Sequence, residues 1–338
     1  MTRPLRSLGF LTIGLFERDD PAAGHRATLD VIERAETLGY DSAWLRNRHL
    51  QYGISSPLTV LAAAAASTSR IRLGTAVIPL GFENPFRLAE DLATVDLLSG
   101  GRLEPGFSVG APRRYEAFAD ALHPDSRDRE RFSYERLERL RGFLAGEAVS
   151  TFVGREGFED YSERIEPHAP GLVDRLWYGA ASEASTLWAA RHGFHLLTSS
   201  IVQATRSTDF DHEQYAQIQL YREHHPDGES ARVSQGLVVI PTDSATAAQR
   251  ERYRAYAASR AGRVGVPFGP QNFLAAPDIV GTSAEIADVL ARNRAFGEVD
   301  EVAFALPFTF ADDDYAQILE DIAQRLAPLL GWQGSVGS

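Results

Sequence analysis

Ser69-Arg70-Ile71-Arg72-Leu73-Gly74-Thr75-Ala76-Val77-Ile78-Pro79, with Asn84-Pro85 and Leu97-Leu98-Ser99-Gly100-Gly101-Arg102-Leu103 after it, is the stretch that decides the fold of this chain. Residues 71–78 read as a strand, rich in Ile, Val and Thr. A helix begins near Pro85 and runs to Leu98, with Leu88, Leu92, Val95 and Leu98 in helical register. Gly100-Gly101 stops it, and residues 102–109 form the next strand. Strand, helix, strand in this compass is a βαβ unit, which requires a parallel sheet.

The same rhythm extends in both directions. Upstream, strand 8–13 leads to helix 25–38, ending at Gly39, and strand 40–45 leads to helix 57–67, opened by Pro57. Downstream, a charged amphipathic helix spans 126–146, and the Gly-, Pro- and charge-rich region 149–174 breaks the alternation, read as a hairpin of 149–153 against 161–165. The alternation resumes with strand 176–179, helix 182–192, strand 194–198, helix 211–224, strand 232–240 and helix 244–262. Region 264–280 reads as irregular, a lid or second insertion. Helix 283–296, strand 301–307 and helix 312–329 complete the chain. Eight strands, each followed by a helix and undivided by any linker, predict a single (β/α)8 TIM barrel over residues 1–338, with insertions near 147–174 and 263–281. An open doubly wound sheet is the alternative.

Composition narrows the chemistry. The 338 residues contain no cysteine, one methionine and no lysine, so all 34 basic residues are arginine. Disulfides, thiol nucleophiles and cysteine metal sites are excluded. So are lysine Schiff bases and the phosphate loop ending in Gly-Lys-Ser/Thr. The net charge of −12 argues against a nucleic-acid partner and against docking on anionic lipid. Residues 1–10 are too short and polar for a secretion signal, and no apolar run reaches the roughly 20 residues of a membrane span. A cytoplasmic enzyme is expected, and no metal-ligand spacing stands out. His224-His225 before Pro226 reads as a solvated helix end, and Asp312-Asp313-Asp314 as an acidic helix start.

Three stretches resemble the bacterial-luciferase-like flavin monooxygenase family. They are Leu38-Gly39-Tyr40-Asp41-Ser42-Ala43-Trp44 with His49, the segment quoted first together with Ala89-Glu90-Asp91, and Ala180-Ala181-Ser182-Glu183-Ala184-Ser185 leading to Trp188 and His192-Gly193. The resemblance covers nearly the whole chain, including a subgroup of FMN-dependent luciferase-like monooxygenases. It implies a barrel that binds FMN, or in some branches F420, at the C-terminal ends of the strands. Reduced flavin would come from a separate NAD(P)H:flavin reductase and be used with O2 on a small organic substrate. An F420-dependent oxidoreductase and a non-catalytic flavin-binding relative are the alternatives. A homodimer through helices 57–67 and 85–98 is also implied.

Carried over residue by residue, the resemblance puts the flavin phosphate at Ala181, Ser182 and Ser185, next to Gly179. An ordinary N-cap at Ser182 is the competing reading. It places a non-proline cis peptide at Ala76–Val77 under the flavin ring, against a plain strand end. Ser108 stands where luciferase has a cysteine, and Thr198 and Ser199 follow strand six, where the family contacts phosphate or ring. Each of these three is equally read as filling space or satisfying loop backbone. The family's Glu-His-His after strand two is Asn47-Arg48-His49 here, so the catalytic histidine position holds an arginine. Arginine is no base near neutrality. Arg48 is then an electrostatic stabiliser and His49 the proton donor or acceptor. The competing reading pairs Arg48 with Asp41 or Glu90. Phe273, Phe304, Phe308 and Phe310 are candidates for an apolar substrate wall or for core.

Overall fold

A computed structural model describes residues 3–112 and 114–334. Its barrel strands are β1 (Ser7–Thr12), β2 (Ser42–Leu45), β3 (Arg72–Thr75 and Ile78–Pro79), β4 (Leu103–Glu104 and Gly106–Ser108), β5 (Trp177–Gly179), β6 (His195–Thr198), β7 (Val233–Gln235) and β8 (Glu301–Ala305). β3 is interrupted by a cis peptide between Ala76 and Val77. β4 is interrupted at Pro105, which has no N–H for the ladder.

Every neighbouring pair in this sheet is parallel. Its order runs from β4 through β5, β6, β7, β8, β1, β2 and β3 back to β4. The first piece of β4 bonds to β3 (Leu73 opposite Leu103) and its second piece to β5 (Gly106 opposite Trp177). β3 and β4 thus each have one piece at either end of the sheet, which closes it into a barrel and removes the open-sheet alternative.

The helices after the strands are α1 (Pro21–Thr37), α2 (Pro57–Ser67), α3 (Pro85–Leu98), α4 (Tyr134–Ala145), α5 (Glu183–Arg191), α6 (Phe210–His224), α7 (Ala247–Ala261), α8 (Ser283–Arg292) and α9 (Asp312–Asp321). Their apolar stripes cover the outer faces of the strands, where Leu8, Phe10, Ala43, Leu45, Leu73, Leu196 and Val302 are buried.

Several expectations need correction. The expected strand 232–240 divides: Val233–Gln235 stays in the barrel, while Val239–Pro241 leaves it to pair with Ile279–Gly281. A continuous apolar run does not mark where a strand leaves its sheet. Region 264–280 is correspondingly more regular than expected, since Phe273–Ala275 pairs antiparallel with Ile201–Gln203. The helix at 126–146 starts only at Tyr134, after a 3-10 turn at Arg127–Arg129. The hairpin in 149–174 is displaced toward its turn, with Gly154–Glu156 against Glu159–Tyr161. The last helix changes to a π turn at Ile322–Leu326.

The opening motif is explained by its side chains. Glu36 of α1 accepts from the backbone N–H groups of Ser69, Arg70 and Ile71 at 2.8–3.1 Å. Burial pushes its carboxyl up, but these donors outweigh burial and hold it below the ordinary value. Arg102 donates to the carbonyls of Ala65, Thr68, Ile71 and Ser99 and to the Thr68 hydroxyl, at 2.7–3.1 Å. It thereby satisfies the C-terminal carbonyls of α2, which lacks a glycine cap. Arg102→Ala is expected to cost on the order of 3 kcal/mol, because several enclosed acceptors lose their donor together. Urea unfolding would show this as a lowered midpoint at unchanged slope.

Candidate active site

Strand alternation determines what faces the barrel axis. Trp44 of β2 and Trp177 of β5 meet there edge to face, with ring centroids 5.4 Å apart, packed with Leu11, Ala76, Val77, Leu197 and Ala303. Gly74 makes the room, since a Cβ there would lie 2.2 Å from the Trp44 ring. Below the tryptophans, toward the N-terminal ends, Arg72, Glu104, Arg232 and Glu301 form a network. Glu104 receives Arg72 at 2.9 Å and Arg232 at 3.1 Å, and Arg232 also forks onto Glu301 at 2.6 and 2.9 Å. The Arg232 guanidinium lies 4.6 Å from the Trp177 ring centre. His195, pushed down to about 4 by burial and then by Arg232, stays neutral beside it. These groups plug the barrel.

Above the tryptophan floor, the next inward positions are Leu11, Ala76, Ser108, Gly179, Ser199, Gly236 and Ala305. They are small except for Leu11, and all reach solvent at least partly, in contrast to the buried floor. The mouth is therefore a concave surface at the C-terminal ends of the strands, the usual place for chemistry in this architecture. Gly179 is part of its shape: a Cβ there would lie 2.8 Å from Cγ1 of Val77. The structure thus brings Ala76, Val77, Ser108 and Gly179 together as one shelf.

Ala181, Ser182 and Ser185 stand at the start of α5, beside the shelf. Ser182 caps the helix: its hydroxyl accepts from Ser185 N–H at 3.3 Å, and the Ser185 hydroxyl accepts from Ser182 N–H at 3.2 Å. This reciprocal box is the N-cap reading, and it leaves the helix N-terminus facing the mouth. Arg206 reaches the same junction through an ion pair with Glu183, a contact between distant loops that the sequence does not signal. From behind, Gln217 of α6 donates to the Ala180 carbonyl and to the Thr186 hydroxyl, both at 3.0 Å. The Thr198 and Ser199 hydroxyls both donate to backbone carbonyls. The Thr198 hydroxyl donates to Ser234 O, and Ser199 closes a turn with Ile201.

The loop after β2 carries the remaining candidates. His49 stacks on Phe82, with ring centroids 3.6 Å apart, and Phe82 stacks on Phe118. Burial lowers the His49 pKa, and its Nε2 is enclosed without a partner. The Asn47 carboxamide is buried with neither its oxygen nor its nitrogen hydrogen-bonded. The Arg48 N–H donates to Ile54 O at 2.7 Å, which folds the loop back. Of the carboxylates considered for Arg48, Glu90 pairs with Arg87, and Asp41 accepts from Leu8 N–H and the Trp332 indole. Arg46 is two residues past Trp44 and shares its inward parity, a signal legible once the register is known.

One other expectation changes, and one open pair of readings is resolved. His225 is buried and pushed down by that burial, so only His224 belongs to a partly solvated end. Phe304 is core, whereas Phe310 lines a cleft. Among the described residues there is no group of three or more metal-ligating side chains, and no helix long and apolar enough to cross a membrane.

Comparison with known proteins gives the family. The model of the luciferase-like monooxygenases matches residues 6–306. The chain belongs to the luciferase-like monooxygenase family. It is 33% identical over 150 residues to 4-hydroxyprotoasukamycin monooxygenase of Streptomyces nodosus subsp. asukaensis, covering 44% of this chain and 39% of that one. It is 34% identical over 175 residues to limonene 1,2-monooxygenase of Rhodococcus erythropolis, covering 47% and 44%. The chain therefore spans less than half the length of these relatives.

Among solved structures, the luciferase-like fold recurs in the oxygenating constituent of 3,6-diketocamphane monooxygenase of Pseudomonas putida in complex with FMN. That match has a TM-score of 0.68 and 17% identity over 96% of this chain and 98% of that one. It recurs also in the coenzyme F420-dependent tetrahydromethanopterin reductase of Methanopyrus kandleri, at TM-score 0.63 and 18% identity over 96% and 99%.

Proposed function

We propose that this chain is a flavin-dependent monooxygenase that uses reduced FMN and O2 on a small organic substrate. The observation that carries the reading is the shelf of Ala76, Val77, Ser108 and Gly179, roofless above a tryptophan floor and flanked by the N-terminus of α5. The residues fit the cofactor: the shelf accepts a flat ring, and the Asn47 amide and His49 Nε2 are enclosed polar atoms without partners. Ala181, Ser182 and Ser185 would hold the phosphate at the helix N-terminus, and Thr198 and Ser199 would border the ring. When bound, reduced flavin supplies the electrons that activate O2. Arg48, with Arg46 beside it, stabilises negative charge in the mouth. His49, neutral at pH 7, accepts or delivers a proton at Nε2.

The chain works in the cytoplasm with a separate NAD(P)H:flavin reductase. It forms a homodimer through α2 and α3, whose Phe86, Leu97 and Leu98 are exposed apolar side chains.

Titration of the protein with FMN, reduced FMN and F420 tests the reading. Binding of reduced FMN supports it, and binding of F420 alone replaces it by an F420-dependent oxidoreductase. Failure to bind any of the three removes it. Oxidation of bound reduced FMN without oxygenated product, across a substrate panel, would leave a flavin-binding protein only. Because burial lowers the His49 pKa, its neutral form persists as pH falls past the ordinary 6.5. The acid limb of kcat/KM is expected below that value and should vanish in His49→Asn.

A further inference from the structure

Beside the mouth, a cleft of about 620 Å³ opens between the β1 loop, α1, the loop after β2 and the loop after β8. That volume is in the range of small-molecule sites, roughly 300–1,000 Å³. Its walls include Leu15, Phe16, Tyr52, Phe310 and Tyr315. Phe16 and Tyr52 pack edge to face at 6.1 Å, and Phe310 is held by Tyr253 and Tyr256. Its charged lining residues are Glu17, Asp20 and Asp312, all acidic, and Arg18 stands against one wall, its guanidinium 5.4 Å from the Tyr52 ring centre.

Tyr52 belongs to the same short loop as Arg48 and His49, and Thr12 at the cleft's inner end receives the Arg46 N–H at 2.9 Å. The cleft thus shares a wall with the loop that carries Arg48 and His49.

We propose that this cleft binds the organic substrate, and that the substrate is an apolar body bearing a protonated amine. The class rests on the monooxygenase reading above; the site itself rests on the cleft. Apolar walls bury hydrocarbon, while three carboxylates against the one guanidinium of Arg18 favour a cation over an anion.

Three probes of equal chain length, octylamine, octanol and octanoate, test it by calorimetric titration of the purified protein at pH 7. Octylamine is expected to bind about tenfold more tightly than octanoate, with octanol between them. In Glu17→Gln/Asp312→Asn the preference should disappear while octanol binding is kept. In Tyr52→Ala, at a half-exposed position, all three should weaken together. Equal binding of the three, tighter binding of octanoate, or an unchanged preference in the double variant overturns the proposal. No binding of any probe to a protein that binds FMN also overturns it and leaves the flavin reading intact. Amine-selective binding by a protein that binds no flavin removes the flavin reading and keeps the site.

Discussion

Glu104→Gln is expected to lower the folding free energy by about 3–5 kcal/mol, the cost of removing one partner from a buried ion pair. Glu104 is 3% exposed and is the shared acceptor for Arg72 and Arg232. A neutral amide there leaves two guanidinium groups facing each other under Trp177, with only Glu301 as counter-charge. Burial pushes the Glu104 carboxyl up, but Arg72 and Arg232 outweigh burial and hold it below its ordinary 4.5.

The sign for pH follows from that lowered value. The contribution is complete above about 4.5 and is lost as pH falls through the lower native value. Urea midpoints from pH 3 to 7 should therefore show a steep acid limb in the parent and a flatter one in the variant. A midpoint unchanged at pH 7 would mean that the network is neutral to stability.

Gly179→Val is expected to weaken FMN binding about a hundredfold, which is about 2.7 kcal/mol. The added Cβ falls 2.8 Å from Val77 Cγ1, and the branched methyl groups then occupy the shelf or drive Val77 away from it. Overpacking also costs about 1–3 kcal/mol of stability, so binding is to be measured at a temperature where the variant is folded. Gly262→Ala is the control: nothing lies within 4 Å of its Cβ, and it follows α7 far from the shelf. Unchanged FMN affinity in a folded Gly179→Val protein would place the ring elsewhere.

Much of this molecule is legible in its sequence because alternation of apolar strands and amphipathic helices is a local property. The segment from Ser69 to Leu103 announces its strand, helix and strand from residue types alone, and the resemblance placed Asn47, Arg48 and His49 at a strand end. The roles of Glu36 and Arg102 within that segment were not legible. Glu36 acts on N–H groups 33–35 residues away, and Arg102 on carbonyls 31–37 residues away. Neither separation is a period that a sequence window can see.

The candidate site divides the same way. Ser182 as an N-cap follows from its position before a helix, whereas Arg206 at Glu183 and Gln217 at Ala180 depend on which loops the barrel closure brings together. Arg46 has its parity fixed only by the register of β2 against β3. By itself the sequence determined the barrel class, the strand ends other than that of β7, and the absence of thiol and lysine chemistry. Only the tertiary structure decided that the sheet closes through the two halves of β4, that two tryptophans and an Arg–Glu network fill the barrel, and that an acidic aromatic cleft opens beside its mouth. Closure and burial are set by contacts between residues far apart in the chain, and no local pattern encodes which of those contacts form.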